Sequence, residues 1–229
     1  MGERRPISEE VLESINRQQQ ENTMGKLKIF FGYAAGVGKT YAMLEAAHTA
    51  KNNGKDVVVG YIEKHSRPDT LALMEGLEEI PAKQINYKGV VLKEFDIDKV
   101  LERKPQLVLV DELAHTNAAG SRHIKRYQDV EEILRAGIDV YSTVNVQHLE
   151  SLHDLVESIT QISVSERIPD SVFDSADQVE LVDIEPSDLI VRLQSGKVYQ
   201  KPQAFRALNH FFTIDNLAAL REIALRRTA

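Results

Sequence analysis

The sequence predicts an α/β fold: a three-layer sandwich with a mainly parallel sheet between helices, and a helical C-terminal extension. Three observations predict it. Short apolar runs of the kind that form strands buried on both faces recur along the chain, separated by stretches of helical composition. The first of these runs, Ile29-Phe30-Phe31, passes through a glycine-rich turn into Gly38-Lys39-Thr40 and then a helix-forming stretch. A later run, Leu107-Val108-Leu109-Val110, ends in two acids, Asp111 and Glu112. Strand, glycine-rich turn, Gly-Lys-Thr and helix is the order of a phosphate-binding loop, so the expected fold is P-loop NTPase-like.

Composition bounds the remaining classes. The 229 residues suffice for one large α/β domain, and a hydrophobic content of 42% is that of a globular core. Net charge is −7, from 28 basic and 35 acidic residues, which argues against direct binding along nucleic acid. There is no cysteine, so disulfides and thiol chemistry are excluded. No apolar run approaches the length of a membrane span and no signal peptide is evident, so direct membrane insertion is not expected and the location expected is cytoplasmic. The Met1-Gly2 start fails the myristoylation pattern because Pro6 stands where Ser or Thr is needed.

Residues 1–23 read as a weakly ordered polar leader, in which Val11, Leu12 and Ile15 have helical spacing. Residues 24–229 read as one domain, its last part (185–229) the helical extension. In the loop, Gly36 and Gly38 permit the tight curl that aims several backbone N–H groups at one point. Lys39 is expected to reach the β- and γ-phosphates of a nucleotide and Thr40 to hold Mg²⁺, with Gly36, Val37, Gly38, Lys39, Thr40 and Tyr41 forming the binding stretch. The strict pattern wants glycine at Tyr33; the glycine present is Gly32, one residue earlier. A helix over Tyr41–Ala50 stops at Asn52-Asn53-Gly54, where glycine suits a left-handed C-terminal position.

Asp56–Ile62 reads as a second buried strand, leading into Glu63, His65 and Arg67, which the fold would place near the nucleotide; a solvated charged loop is the competing reading. Thr70–Leu77 reads as helix and Gln84–Phe95 as strand around Gly89. The run ending in Asp111-Glu112 is the Walker B strand: Asp111 would hold Mg²⁺ through water, and Glu112 would orient or deprotonate an attacking water. The loop Ala114–Arg126 offers Arg122 and Arg126 as catalytic or lid arginines, against a solvated basic face. Few apolar residues anchor this loop around Gly120 and Ser121, so it is expected to be mobile and hydrolysis slow. Helix over Asp129–Arg135, strand over Ile138–Val144, strands over Ile162–Ile168 and Val179–Val182, and helices over Ser187–Gln194, Gln203–Phe212 and Ile214–Ala229 complete the reading. Asn145, Gln147 or His148 would sense a γ-phosphate from a strand end, with helix capping the alternative role for Asn145.

Five blocks carry a resemblance: KLKIFFGYAAGVGKTYAML, LVLVDELAHTNAAGSRHIKRYQDVEEIL, AGIDVYSTVNVQHLESL, SGKVYQKPQA and NLAALREIALRRTA. From Lys26 to Arg227 the chain resembles the N-terminal cytoplasmic domain of KdpD-type potassium-sensing histidine kinases. The resemblance implies a regulatory module that binds ATP and Mg²⁺ through Gly36–Thr40 and Asp111-Glu112. It also implies partners: the remaining domains of a membrane-bound sensor kinase and, through them, a response regulator whose phosphorylation balance the module tunes. A second copy of the chain, as a homodimer, is among the partners expected. The stress-protein-like domain, membrane helices, phosphoacceptor histidine and kinase core of that family are not in this sequence, so it is expected to be an excised module or a short relative, a weak ATPase at most.

Two other classes compete. A P-loop ATPase or small-molecule kinase would use Arg122 and Arg126 as a lid. A guanine-nucleotide switch would need an Asn-Lys-x-Asp element and a glycine three residues after Asp111; neither occurs, that position being Ala114.

Overall fold

The computed structural model describes residues 23–63, 68–195 and 211–229. Six strands form one sheet in the order β3-β2-β6-β7-β1-β8, and every neighbouring pair is parallel. They are β1 (Leu27–Gly32), β2 (Val57–Tyr61), β3 (Glu78–Glu79), β6 (Leu107–Val110), β7 (Asp139–Asn145) and β8 (Gln178–Leu181). The helices are α1 (Lys39–Asn52), α2 (Pro68–Ala72), α3 (Ile97–Arg103), α4 (Arg126–Arg135), α5 (His153–Thr160), α6 (Asp170–Asp174), α7 (Pro186–Gln194) and α8 (Ile214–Thr228).

Alternation along the strands produces the three layers. Ile29 and Phe31 of β1, with Val108 and Val110 of β6, enter one hydrophobic cluster together with α4, α7 and α8 residues such as Ile133, Leu189 and Leu217. Their neighbours Phe30, Leu107 and Leu109 enter the other, against Met43, Leu44 and Ala47 of α1. Both faces of the central strands are therefore covered, as parallel sheets require. The expected three-layer α/β architecture with a mainly parallel sheet is the one observed.

Several elements differ from the expectation. The Gln84–Phe95 stretch is a hairpin of β4 (Lys83–Tyr87) and β5 (Val90–Glu94), antiparallel and outside the main sheet. It turns at Lys88 and Gly89, both with positive φ (48° and 83°), the pattern of a two-residue hairpin turn. The strand expected over Ile162–Ile168 does not form: only Ile168 makes an isolated bridge, to Leu149. Within that stretch Glu166 accepts the Thr116 N–H and Arg167 donates to the Val164 carbonyl, both loop atoms. The Thr70–Leu77 helix is shorter and earlier, ending at Ala72. Helices α3, α5 and α6 were not anticipated; α3 begins where the Asp96 side chain accepts the Lys99 N–H at 3.2 Å. The leader arm around Val11–Ile15, residues His65 and Arg67, and most of the Gln203–Phe212 helix lie outside the described residues.

Candidate functional site

The carboxyl ends of β1, β7, β6 and β2 open into one cleft, the position at which open parallel sheets bind ligands. Its lining includes Gly36, Gly38, Lys39, Thr40, Glu63, Asp111, Glu112, Thr143, Asn145 and His148.

The loop from β1 to α1 closes tightly on itself. A Cβ at Gly32 would lie 2.6 Å from Val37 Cγ2 and 3.0 Å from Lys39 Cδ, so the glycine is needed for close approach. Gly38 caps α1 with φ 110°, a conformation other residues rarely adopt. Tyr33, at the position where the strict pattern places glycine, does not face the cleft. It is fully buried, its hydroxyl donates to the Ile184 carbonyl at 3.0 Å, and burial pushes its pKa up to about 12. Lys39 Nζ donates to the Ala34 carbonyl at 3.1 Å, across the loop.

Thr40 and Asp111 meet: the threonine hydroxyl donates to Asp111 Oδ2 at 3.2 Å. Asp111 is 3% exposed, and its other oxygen accepts from the Thr143 hydroxyl. Because β7 lies between β1 and β6, Thr143 and Asn145 stand between the glycine-rich loop and the two acids. Asn145 Oδ1 is buried and has no hydrogen-bond partner, as is Gln147 Oε1, although Gln147 is not in the lining.

Glu112 has φ 57°, a conformation that costs energy outside glycine and that clusters at functional sites. Its N–H donates to Thr143 Oγ1 at 3.1 Å. Its carboxyl group is pushed up to about 7, first by burial among protein atoms and then by the charges of Asp111 and Glu63. A carboxyl group with a folded-state pKa above its unfolded value destabilises the fold increasingly as pH rises between the two, here from about 4.3 upward. Glu112→Gln is therefore expected to raise the melting temperature of the ligand-free protein near pH 8 and to change it far less near pH 4. Equal effects in melts at the two pH values would contradict this.

The far wall is held by two histidines, one on a carboxylate and one on a backbone carbonyl. His115 Nε2 lies 3.2 Å from both oxygens of Glu94, and His148 Nδ1 donates to the Glu166 carbonyl at 2.8 Å. Burial lowers the His148 pKa and so favours the neutral ring. Glu166 in turn accepts the Thr116 N–H at 2.9 Å. Glu94 and Glu166 escaped the sequence reading because their contacts come from segments 24 and 50 residues away.

Neither arginine is part of the cleft lining, although Arg126 Nη1 lies 4.0 Å from Oε2 of Glu112, which is. Arg122 is paired with Asp98 and Glu132 on the outer surface. Arg126 is not a loop residue: it opens α4 and is 0% exposed. Its guanidinium donates to the Asp111 carbonyl at 3.1 Å and to Glu94 at 3.3 Å, and lies 4.2 Å from the centre of the Tyr61 ring. The loop before it is tied as well, by Ala118 N–H to Glu94 and Asn117 Nδ2 to Asp129, so it is better anchored than its sequence suggests. Val37 is buried and could offer a ligand only its backbone; Tyr41 is 41% exposed and lies outside the lining.

The arrangement can bind a polyanion on the loop and helix start, beside a hydroxyl–carboxylate pair suited to a hard divalent cation. Comparison with known proteins agrees in one direction. Residues 23–229 match the family described as "KdpD: Osmosensitive K+ channel His kinase sensor domain". The "Sensor protein KdpD" of Clostridium acetobutylicum is 62% identical over 98% of this chain and 25% of its own length. That of Escherichia coli is 59% identical over 90% of this chain and 23% of its own. A "Putative sensor protein KdpD" of Synechocystis is 54% identical over 90% of this chain and 55% of its own. The chain thus spans about a quarter of the first two relatives. Among the described residues, no helix is long and apolar enough to cross a membrane.

Proposed function

This chain belongs to the KdpD sensor-domain family, and from that premise we propose that it is an ATP-binding regulatory module of a membrane-bound, potassium-sensing histidine kinase. The observation that carries the reading is the Thr40–Asp111 hydrogen bond at the mouth of the glycine-rich loop. It joins the hydroxyl and the carboxylate that a Mg²⁺·triphosphate needs on one side, while Lys39 and the start of α1 supply positive potential on the other. The residues present fit the group: backbone N–H groups of Gly36 to Thr40 and the Lys39 ammonium for phosphate, Thr40 and Asp111 for Mg²⁺. The unpartnered Asn145 Oδ1 would accept from a water brought by the ligand. Bound Mg²⁺ would neutralise phosphate charge.

Within the described lining of the cleft, Lys39 is the one lysine or arginine. Transfer of a phosphoryl group calls for more positive charge than that. ATP accordingly acts as a ligand that sets conformation, with slow or no hydrolysis by this chain alone. Through the remaining domains of the longer protein, that conformation would bias kinase against phosphatase action on a response regulator, with a homodimer as a further assembly.

Calorimetric titration tests the reading: one saturable ATP site dependent on Mg²⁺ is expected, with GTP weaker. Equal GTP affinity would show that the missing guanine-reading element carries no information here, and absence of ATP binding would overturn the reading. A second reading, an ATPase or small-molecule kinase, has one observation in its favour: Glu112 is a base poised near neutral pH. Turnover of several per second at low protein concentration would favour it. Because Arg122 sits outside the cleft in exposed ion pairs, Arg122→Ala is expected to change turnover by less than about twofold. A rate that climbs with protein concentration and is lost in Arg122→Ala would instead place that arginine in the site of a second copy.

A further inference from the structure

The glycine-rich loop touches the C-terminal extension at two points that a phosphate-binding motif does not require. Tyr33 donates to the Ile184 carbonyl at 3.0 Å, just ahead of α7. From α7 itself, Arg192 Nη1 lies 3.4 Å from the carbonyl oxygens of both Gly36 and Val37. From these contacts, and resting on the ATP reading above, we propose that Tyr33 and Arg192 are positioning residues that couple nucleotide binding to the docking of α7.

The peptide geometry supplies the reason. In a planar trans peptide, C=O and N–H point in opposite directions. The Gly36 carbonyl shares its peptide unit with the Val37 N–H, and the Val37 carbonyl with the Gly38 N–H. A guanidinium on the two oxygens therefore fixes both N–H groups toward the other side and polarises them, which strengthens them as donors to an anion. The loop's odd residue has the same effect from below, since Tyr33 pins the strand end to the segment that leads into α7. That segment is held from its far side too: Arg221 of α8 bonds Asp183 at 2.7 Å and Glu185 at 2.8 Å, on either side of Ile184. Leu189 and Leu193 of α7 and Leu217 and Leu220 of α8 are fully buried in the same cluster as Tyr33 and Val37. Loop and extension thus share one core and two polar ties.

Coupling of this kind is reciprocal: if α7 in place improves the phosphate site, bound nucleotide holds α7 in place by the same factor. The extension is then the part of the module in which nucleotide occupancy is read.

The test titrates the whole chain with ATP·Mg²⁺ as wild type, Arg192→Met, Arg192→Lys and Tyr33→Phe, and follows hydrogen exchange of the α7 amides with and without ATP. Arg192 is a surface residue, so its variants should fold, and Tyr33→Phe keeps the ring. Arg192→Met should weaken ATP by about tenfold, within the usual range of site-to-site coupling. Arg192→Lys should recover most of that loss, and Tyr33→Phe should show a smaller one. ATP should slow α7 exchange in the wild type and much less in Arg192→Met. Wild-type affinity in Arg192→Met, a lysine variant as weak as the methionine one, or α7 exchange indifferent to ATP would each overturn the coupling. Failure of the wild type itself to bind ATP would be a different result, ending the nucleotide reading on which the coupling rests.

Discussion

Arg126→Met is expected to destabilise the domain by about 3 kcal/mol or more, the scale for breaking a buried ion pair on one side. The arginine is 0% exposed and Glu94 only 5%, so removal of the guanidinium leaves a carboxylate inside the protein without its cation. Three strand ends lose a common partner at once: Tyr61 of β2 beneath the guanidinium, Glu94 of β5 and the Asp111 carbonyl after β6. Burial alone would raise the Glu94 pKa, but hydrogen bonds from His115 and the Ala118 N–H, with the Arg126 charge, hold it below the usual range. A depressed carboxylate contributes stability that is present above the ordinary glutamate value and lost as pH falls through the folded one. The acid-side slope of stability should therefore be shallower in Arg126→Met. Adding Glu94→Leu should restore part of the loss, because removing both charges costs less than stranding one. Denaturant titrations of the two variants decide it; a single variant as stable as wild type would contradict the structural role.

Lys39→Ala should weaken ATP·Mg²⁺ binding by about a hundredfold while leaving the fold intact. Hydrogen bonds to charged groups contribute about 1.5–3 kcal/mol each, and each 1.4 kcal/mol is a factor of ten in affinity. Within the described lining, Lys39 is the one lysine or arginine, so no neighbour there replaces it. The fold has less at stake: the Lys39 ammonium gives the Ala34 carbonyl one part-buried hydrogen bond, at the lower end of that range at about 1.5 kcal/mol. Unchanged affinity in a folded Lys39→Ala protein would remove the phosphate-binding assignment.

The parts of the site built from consecutive residues could be read from the sequence. Gly36 to Thr40 and Asp111-Glu112 are local patterns, and the apolar runs before them mark buried strands without reference to anything distant. What could not be read depends on who faces whom. Arg126 looked like a loop cation because its partners Tyr61 and Glu94 are 65 and 32 residues away, and nothing local marks a guanidinium for burial. Tyr33 looked like a flaw in the loop because its partner, Ile184, lies 151 residues on. Thr143 was legible in principle, as a polar residue near the end of an apolar strand, but only strand order shows that β7 separates β1 from β6. The strand expected over Ile162–Ile168 fails for the converse reason: a strand exists only where its backbone pairs with a neighbour, and there only Ile168 does, with Leu149.

A crystal structure of the chain with ATP and Mg²⁺, or with a non-hydrolysable analogue, tests the central claim most directly. The account predicts density for the β- and γ-phosphates against the Gly36–Thr40 backbone and Lys39, with the metal between Thr40 and Asp111. Nucleotide bound elsewhere, for instance in the cavity lined by Tyr61, Met74 and Ile80 beside β2, with the Gly36–Thr40 loop left bare, would contradict it.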